Sequence, residues 1–182
     1  VSNGGRLTAT TINVHAKDNI GEGTGDMLLL GATNLIAVAD TGNIYIDINQ
    51  SVSASLAADN GVIYIDVTGG GNTLTTSGDW SANAITATAD GDITLANNLT
   101  ADSGDILIIS TNGIINQTSG DVNTAVGNGN ITYTANDISL LGTTTAGSGI
   151  VNLIPNSGIA ITIGSGFVNF GVSDAELDTV QS

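Results

Sequence analysis

The chain has 182 residues, about the length of one domain, and 41% of them are hydrophobic, so it can bury a continuous core. Seventeen acidic residues against two basic ones, Arg6 and Lys17, leave a net charge of -15, which repels a nucleic-acid backbone and an anionic bilayer alike. Only 10% of residues are charged and mean hydropathy is +0.26, which opposes the low-hydrophobicity signature of a disordered chain.

Aromatic residues are scarce, so the core must be built from Ile, Val, Leu and Ala. There is no cysteine, hence no disulfide and no thiolate metal site. The longest aliphatic stretches, Met27 to Leu30 and Leu35 to Ala39, fall far short of the roughly 20 residues of a spanning helix, and no membrane insertion is expected. The sequence opens at Val1 without a basic-then-apolar leader, as expected of a mature chain or a piece of a longer one.

In chain order, short alternating runs rich in Ile, Val, Thr and Leu recur between clusters of Gly, Asn, Asp and Ser, which reads as strands between turns. The refrain is Gly followed by Asp or Asn and an aliphatic residue, at Gly25, Gly42, Gly78, Gly91, Gly104, Gly120 and Gly129. Its expected basis is turn geometry: Gly takes positive φ freely, and Asn and Asp tolerate it and bond the local backbone. The Asn-Gly and Asp-Gly pairs at 60–61, 90–91, 112–113 and 128–129 would equally suit hairpins, which leaves an antiparallel β-sandwich as the alternative fold.

Period separates the two folds. Gly42-Asn-Ile-Tyr-Ile-Asp-Ile48 returns as Gly61-Val-Ile-Tyr-Ile-Asp-Val67, displaced by 19 residues. A sandwich has no reason for such copying, whereas one coil of a parallel β-helix uses about 20 residues. An all-β solenoid of about nine coils and roughly 40 Å is therefore expected over residues 1–172. In it Ile44, Ile46 and Ile48 stack on Ile63, Ile65 and Val67, and Tyr45 stacks on Tyr64 outside.

The same phase stacks Asp47 on Asp66, about 5 Å apart, a repulsion near 1 kcal/mol in water. Solvation relieves it, or a shared cation such as Ca²⁺, which accepts carboxylate oxygens. At the C-terminus, Ser173-Asp-Ala-Glu176 has capping-box spacing, with Val172 and Leu177 where a hydrophobic staple belongs. A short helix starting at Asp174 is expected, so that residues 173–182 cap the open end or form the interface with a neighbouring module.

Catalytic chemistry finds few candidates. His15 is the only imidazole, Asp18 is the nearest carboxylate following it, and no third partner is evident. A lyase would have only Arg6 and Lys17 to abstract a proton, while a paired-carboxylate glycosidase is compatible with composition alone. Trp80, with Tyr45 and Tyr64, could form a stacking platform for carbohydrate, although a lone Trp more often packs inside. The glycines at 69–71 and at 21, 23 and 25 lack the Lys-Ser/Thr of a phosphate loop and read as turns.

Phrases such as Gly91-Asp-Ile-Thr-Leu95 and Gly129-Asn-Ile-Thr-Tyr133 resemble the repeats of filamentous haemagglutinin-type bacterial surface exoproteins. The ending Gly171 to Val180 resembles a phrase that punctuates such giant proteins, and in a tandem array Val1 to Thr8 would follow as strand. The resemblance implies a right-handed parallel β-helix, export to the bacterial cell surface or the extracellular space, and adhesion or fibre formation. The expected protein is a non-enzymatic structural module whose partners are other copies of itself, joined end to end, and host or cell-surface glycans. A carbohydrate-binding domain and a carbohydrate-active enzyme are the alternatives.

Overall fold

The computed structural model describes residues 5–124, 126–164 and 170–181. Two long strands, β1 (Leu7–Ala16) and β2 (Leu28–Ala39), open the chain, followed by β3 (Ile44–Ile48) and β4 (Val52–Ala58). Three regular coils come next: β5 (Val62–Val67), β6 (Leu74–Thr76) and β7 (Trp80–Ala82), then β8 (Ala84–Ala89), β9 (Ile93–Leu95) and β10 (Leu99–Ala101), then β11 (Ile106–Ser110), β12 (Ile114–Gln117) and β13 (Val122–Asn123). A fourth contains β14 (Ile131–Ala135), β15 (Asp137–Leu140) and β16 (Thr144–Thr145). The chain ends with β17 (Val151–Pro155), β18 (Ile161–Ile163), β19 (Phe170–Val172), helix α1 (Asp174–Leu177) and β20 (Val180–Gln181).

Every strand ladder is parallel, and the coils stack as a β-solenoid of about seven turns with three faces. The first face stacks β3, β5, β8, β11, β14 and β17. The second stacks β6, β9, β12 and β15, and the third β7, β10, β13, β16 and β20. Ile44 lies opposite Ile63, Tyr45 opposite Tyr64 and Asp47 opposite Asp66, all in parallel register, which excludes the sandwich.

Fewer coils form than the nine expected because most are longer than the 19-residue echo. From Ile44 the register advances 19 residues to Ile63, 22 to Ile85, 21 to Ile106, 25 to Ile131 and 20 to Val151. Strand alternation supplies the core: Ile44, Ile46 and Ile48 are buried and the residues between them half-buried. β-Branched side chains suit this stacking because their χ1 freedom is already restricted.

The Gly-Asp/Asn refrain works differently from the expectation. Asn98 N donates to Asp79 Oδ1 (3.0 Å), Asp121 N to Asn98 Oδ1 (2.8 Å) and Thr143 N to Asp121 Oδ1 (3.1 Å), so one corner is a ladder running from coil to coil. A second corner repeats it through Asp105, Asn130 and Ile150. Most refrain glycines serve close approach, since a Cβ on Gly129 would lie 2.0 Å from the Gly104 carbonyl oxygen, while Gly120 also takes the expected positive φ, at 78°. In Asn60-Gly61 and Asn128-Gly129 it is the asparagine that takes positive φ, at 61° and 54°.

The expected helix starts at Asp174 with its capping box complete: Ser173 Oγ accepts from Glu176 N, and Glu176 Oε2 accepts from Ser173 N. The boundary expected at residue 172 is crossed by the main sheet, because β20 pairs with β16. Val1 to Gly4, part of the expected tandem junction, lie outside the described residues.

Candidate functional site

The outer surface of the first face presents the sequence's two aromatic-acidic phrases as stacked pairs, Tyr45 on Tyr64 and Asp47 on Asp66. Strand periodicity places Tyr and Asp two residues apart on the same side, and parallel register aligns the copies. Of the two carboxylates, Asp47 is neutralised by Arg6, whose Nη2 lies 2.7 Å from Asp47 Oδ1. Arg6 Nη1 also donates to the carbonyl oxygens of Leu30 and Asp47, so the guanidinium is fixed by backbone as well as by charge. Asp66 has its pKa raised above the usual carboxylate value by burial and, secondarily, by the Asp47 charge.

This stack differs from the corner ladders, although Asp40 and Asp59 likewise follow the paired Ala39 and Ala58. In the corner ladders the neighbour one coil on from each carboxylate is neutral: Asn98 beyond Asp79, Asn112 beyond Asp90, Asn130 beyond Asp105 and Thr143 beyond Asp121. Alternation of Asp with neutral residues spreads the acidic charge, whereas Asp47 and Asp66 meet directly and draw in Arg6. A divalent ion bridging them would have to compete with that guanidinium. Among the described residues no group of three or more His, Asp or Glu side chains gathers around a common point.

Trp80 departs from the carbohydrate-platform expectation. It is 1% exposed, and its Nε1–H donates to Ala54 O at 2.9 Å, so the indole fills the interior at the start of the third face. Tyr45 and Tyr64 are half-buried on the outside, without Trp80 beside them. His15 faces Asp40 of the next coil rather than Asp18, donating from Nε2 to Oδ1 at 2.7 Å on an exposed surface. Parallel stacking brings residues 25 positions apart together, which local spacing cannot reveal.

The two ends form the second candidate region. Among the described residues β1 pairs only with β2, β17 only with β14, and β20 only with β16. The last two coils leave Leu141, Ile150, Ile154, Ile161, Ile163 and Leu177 exposed. Val172 is buried within β19, which pairs with β18, while Leu177 remains 41% exposed, so the capping box rather than an apolar staple holds α1. Leu177 is thereby free for contact and Val172 is not.

Glu176 has a role that its capping-box spacing does not announce. While Oε2 caps α1, Oε1 accepts from Leu140 N at 3.1 Å, and Asp137 Oδ1 accepts from Gly171 N at 2.8 Å. The last strand of the second face, β15, is thus closed by carboxylates and by α1, which blunts that edge against pairing. The first and third faces end in strand edges.

In comparisons with known proteins, no family model, no curated sequence and no solved structure matches this chain.

Proposed function

We propose that the chain is a non-enzymatic structural module of a bacterial surface adhesin or fibre, outside the cell, that assembles end to end through strand stacking. The observation that carries this reading is the pair of unfinished ends: β1 at one, and β17 and β20 with the exposed aliphatic residues of the last two coils at the other. An edge strand offers unpaired N–H and C=O groups, and an exposed aliphatic cluster gains from burial, so both favour another layer. Along the sides, eleven of the seventeen acids, from Asp18 to Asp121, lie in the connections between strands, leaving an anionic rim that discourages lateral association.

Sedimentation velocity across a concentration series, with electron microscopy of the concentrated sample, tests this. Rods that lengthen with concentration are expected; a monomer at every concentration would sink it. A second reading, a carbohydrate-binding surface, is favoured by the stacked Tyr45 and Tyr64 beside Asp47 and Asp66. It expects a monodisperse monomer that is retained on a glycan column and released by Tyr64→Ala. The glycosidase alternative would place its carboxylates at the same pair, and it requires turnover of a glycan that Asp66→Asn abolishes.

A further inference from the structure

One column of the third face runs the whole length of the solenoid. His15 lies opposite Val38, Val38 opposite Ala57, Ala57 opposite Ser81 and Ser81 opposite Thr100. The register continues from Thr100 to Asn123, from Asn123 to Thr145 and from Thr145 to Gln181. The column begins on β1 and ends on β20, each of which has a partner on one side only among the described residues. Beside it, the partly buried Val14 and Val180 mark the two ends of the core.

Charge distinguishes the ways two copies can meet. From Arg6 to Lys17 the chain carries two cations and no acid; from Val151 to Gln181 it carries three acids, Asp174, Glu176 and Asp178, and no base. Arg6 is paired with Asp47, so apposing two first strands brings like charge together through Lys17, and apposing two last coils sets carboxylates against carboxylates. First strand against last coil joins opposite signs and keeps the strands parallel.

We infer that a second copy of this chain docks head to tail, its β1 pairing in parallel with β20 so that its His15 lies opposite Gln181. This rests on the end-to-end reading above and adds polarity and register to it. Such a contact is heterologous: it leaves a free β1 and a free β20 on every oligomer and so propagates rather than closing as a dimer.

The absence of cysteine makes the test direct. Residues opposed in a parallel ladder have Cα atoms about 4.8 Å apart, within disulfide reach. Under mild oxidation, a mixture of His15→Cys and Gln181→Cys chains should shift to a covalent dimer, each alone should remain monomeric on a non-reducing gel, and the double variant should give a ladder. Thr100→Cys, in the middle of the same column, sets the background. Homodimers formed by either end variant alone at the mixture's yield would overturn the polarity, and a mixture no better than background would overturn the register. In both cases concentration-dependent sedimentation of the unmodified chain would leave the end-to-end reading standing. A chain that stays monomeric throughout would remove both.

Discussion

The early and late coils distribute polarity differently. Around β3 and β5 the interior is aliphatic, with Ile44, Ile46, Ile63 and Ile65 buried, and the outer face carries Tyr45, Asp47, Tyr64 and Asp66. From β11 onward the interior admits Ser110, Gln117, Thr124 and Thr144 as well as Tyr133, while the same outer columns lose their acids and mix Leu107, Ile109 and Ile154 with Thr132, Thr134 and Asn152. A solenoid tolerates both because each coil sees only its neighbours: a polar group can enter when the adjacent layer supplies a partner. Tyr133 OH and Thr144 Oγ1 are 3.0 Å apart, Thr144 Oγ1 donates to Gln117 Oε1, and Gln117 Nε2 donates to the carbonyl oxygens of Gly120 and Thr143. Among the described residues no buried side-chain polar atom lacks a partner.

Four substitutions sharpen that contrast. The largest effect is expected in the dry coils, where Ile65→Ala opens a cavity between Ile46 and Ala87. A loss of about 2–5 kcal/mol, read as a lower urea midpoint at constant slope, is the expected outcome. In the late coils Thr144→Val keeps the volume but breaks the chain of bonds from Tyr133 to Gln117, at a cost of about 1–3 kcal/mol. Adding Tyr133→Phe to it should return part of the loss, since one stranded hydroxyl goes; no recovery in a double-mutant cycle would mean that the two side chains are not coupled.

The smallest effect concerns the early coils' outer face. Asp66→Asn relieves the partial burial of a carboxylate and, secondarily, its opposition to Asp47, and should stabilise by less than about 1 kcal/mol at neutral pH. Its folded pKa is raised, so the folded state holds the proton more tightly than the unfolded one. The penalty is therefore absent below the ordinary value of 3.8 and sets in as pH rises through the raised value. Urea midpoints of the two proteins should accordingly differ at neutral pH and converge in acid. A gap that persisted in acid would assign the effect to packing instead of charge.

Much of the architecture was legible in residues 42–67. The phase-locked copy implied parallel stacking, the inward isoleucines and the paired Tyr and Asp, and all are found in register. The capping box at Ser173 was equally readable, because its bonds span three residues. Three features needed long-range information. Turn chemistry suggested positive φ, which holds at Gly120, Asn60 and Asn128, but at Gly42, Gly91 and Gly129 it is crowding by the preceding coil that requires glycine. For Trp80 the sequence left a stacking platform and interior packing both open, and burial with a bond to the Ala54 carbonyl decides for the interior. No local pattern couples Arg6 to Asp47, 41 residues away.

By itself the sequence determined the period-two alternation, the places where strands stop and the phase in which coils repeat, because these follow from local sterics and from hydrophobic spacing along the chain. The tertiary structure alone decided which backbone amide each Asp or Asn side chain meets, which carboxylates face one another, and which strands are left as edges. Those outcomes depend on the length of each coil, set by how its corners pack on the layer beneath.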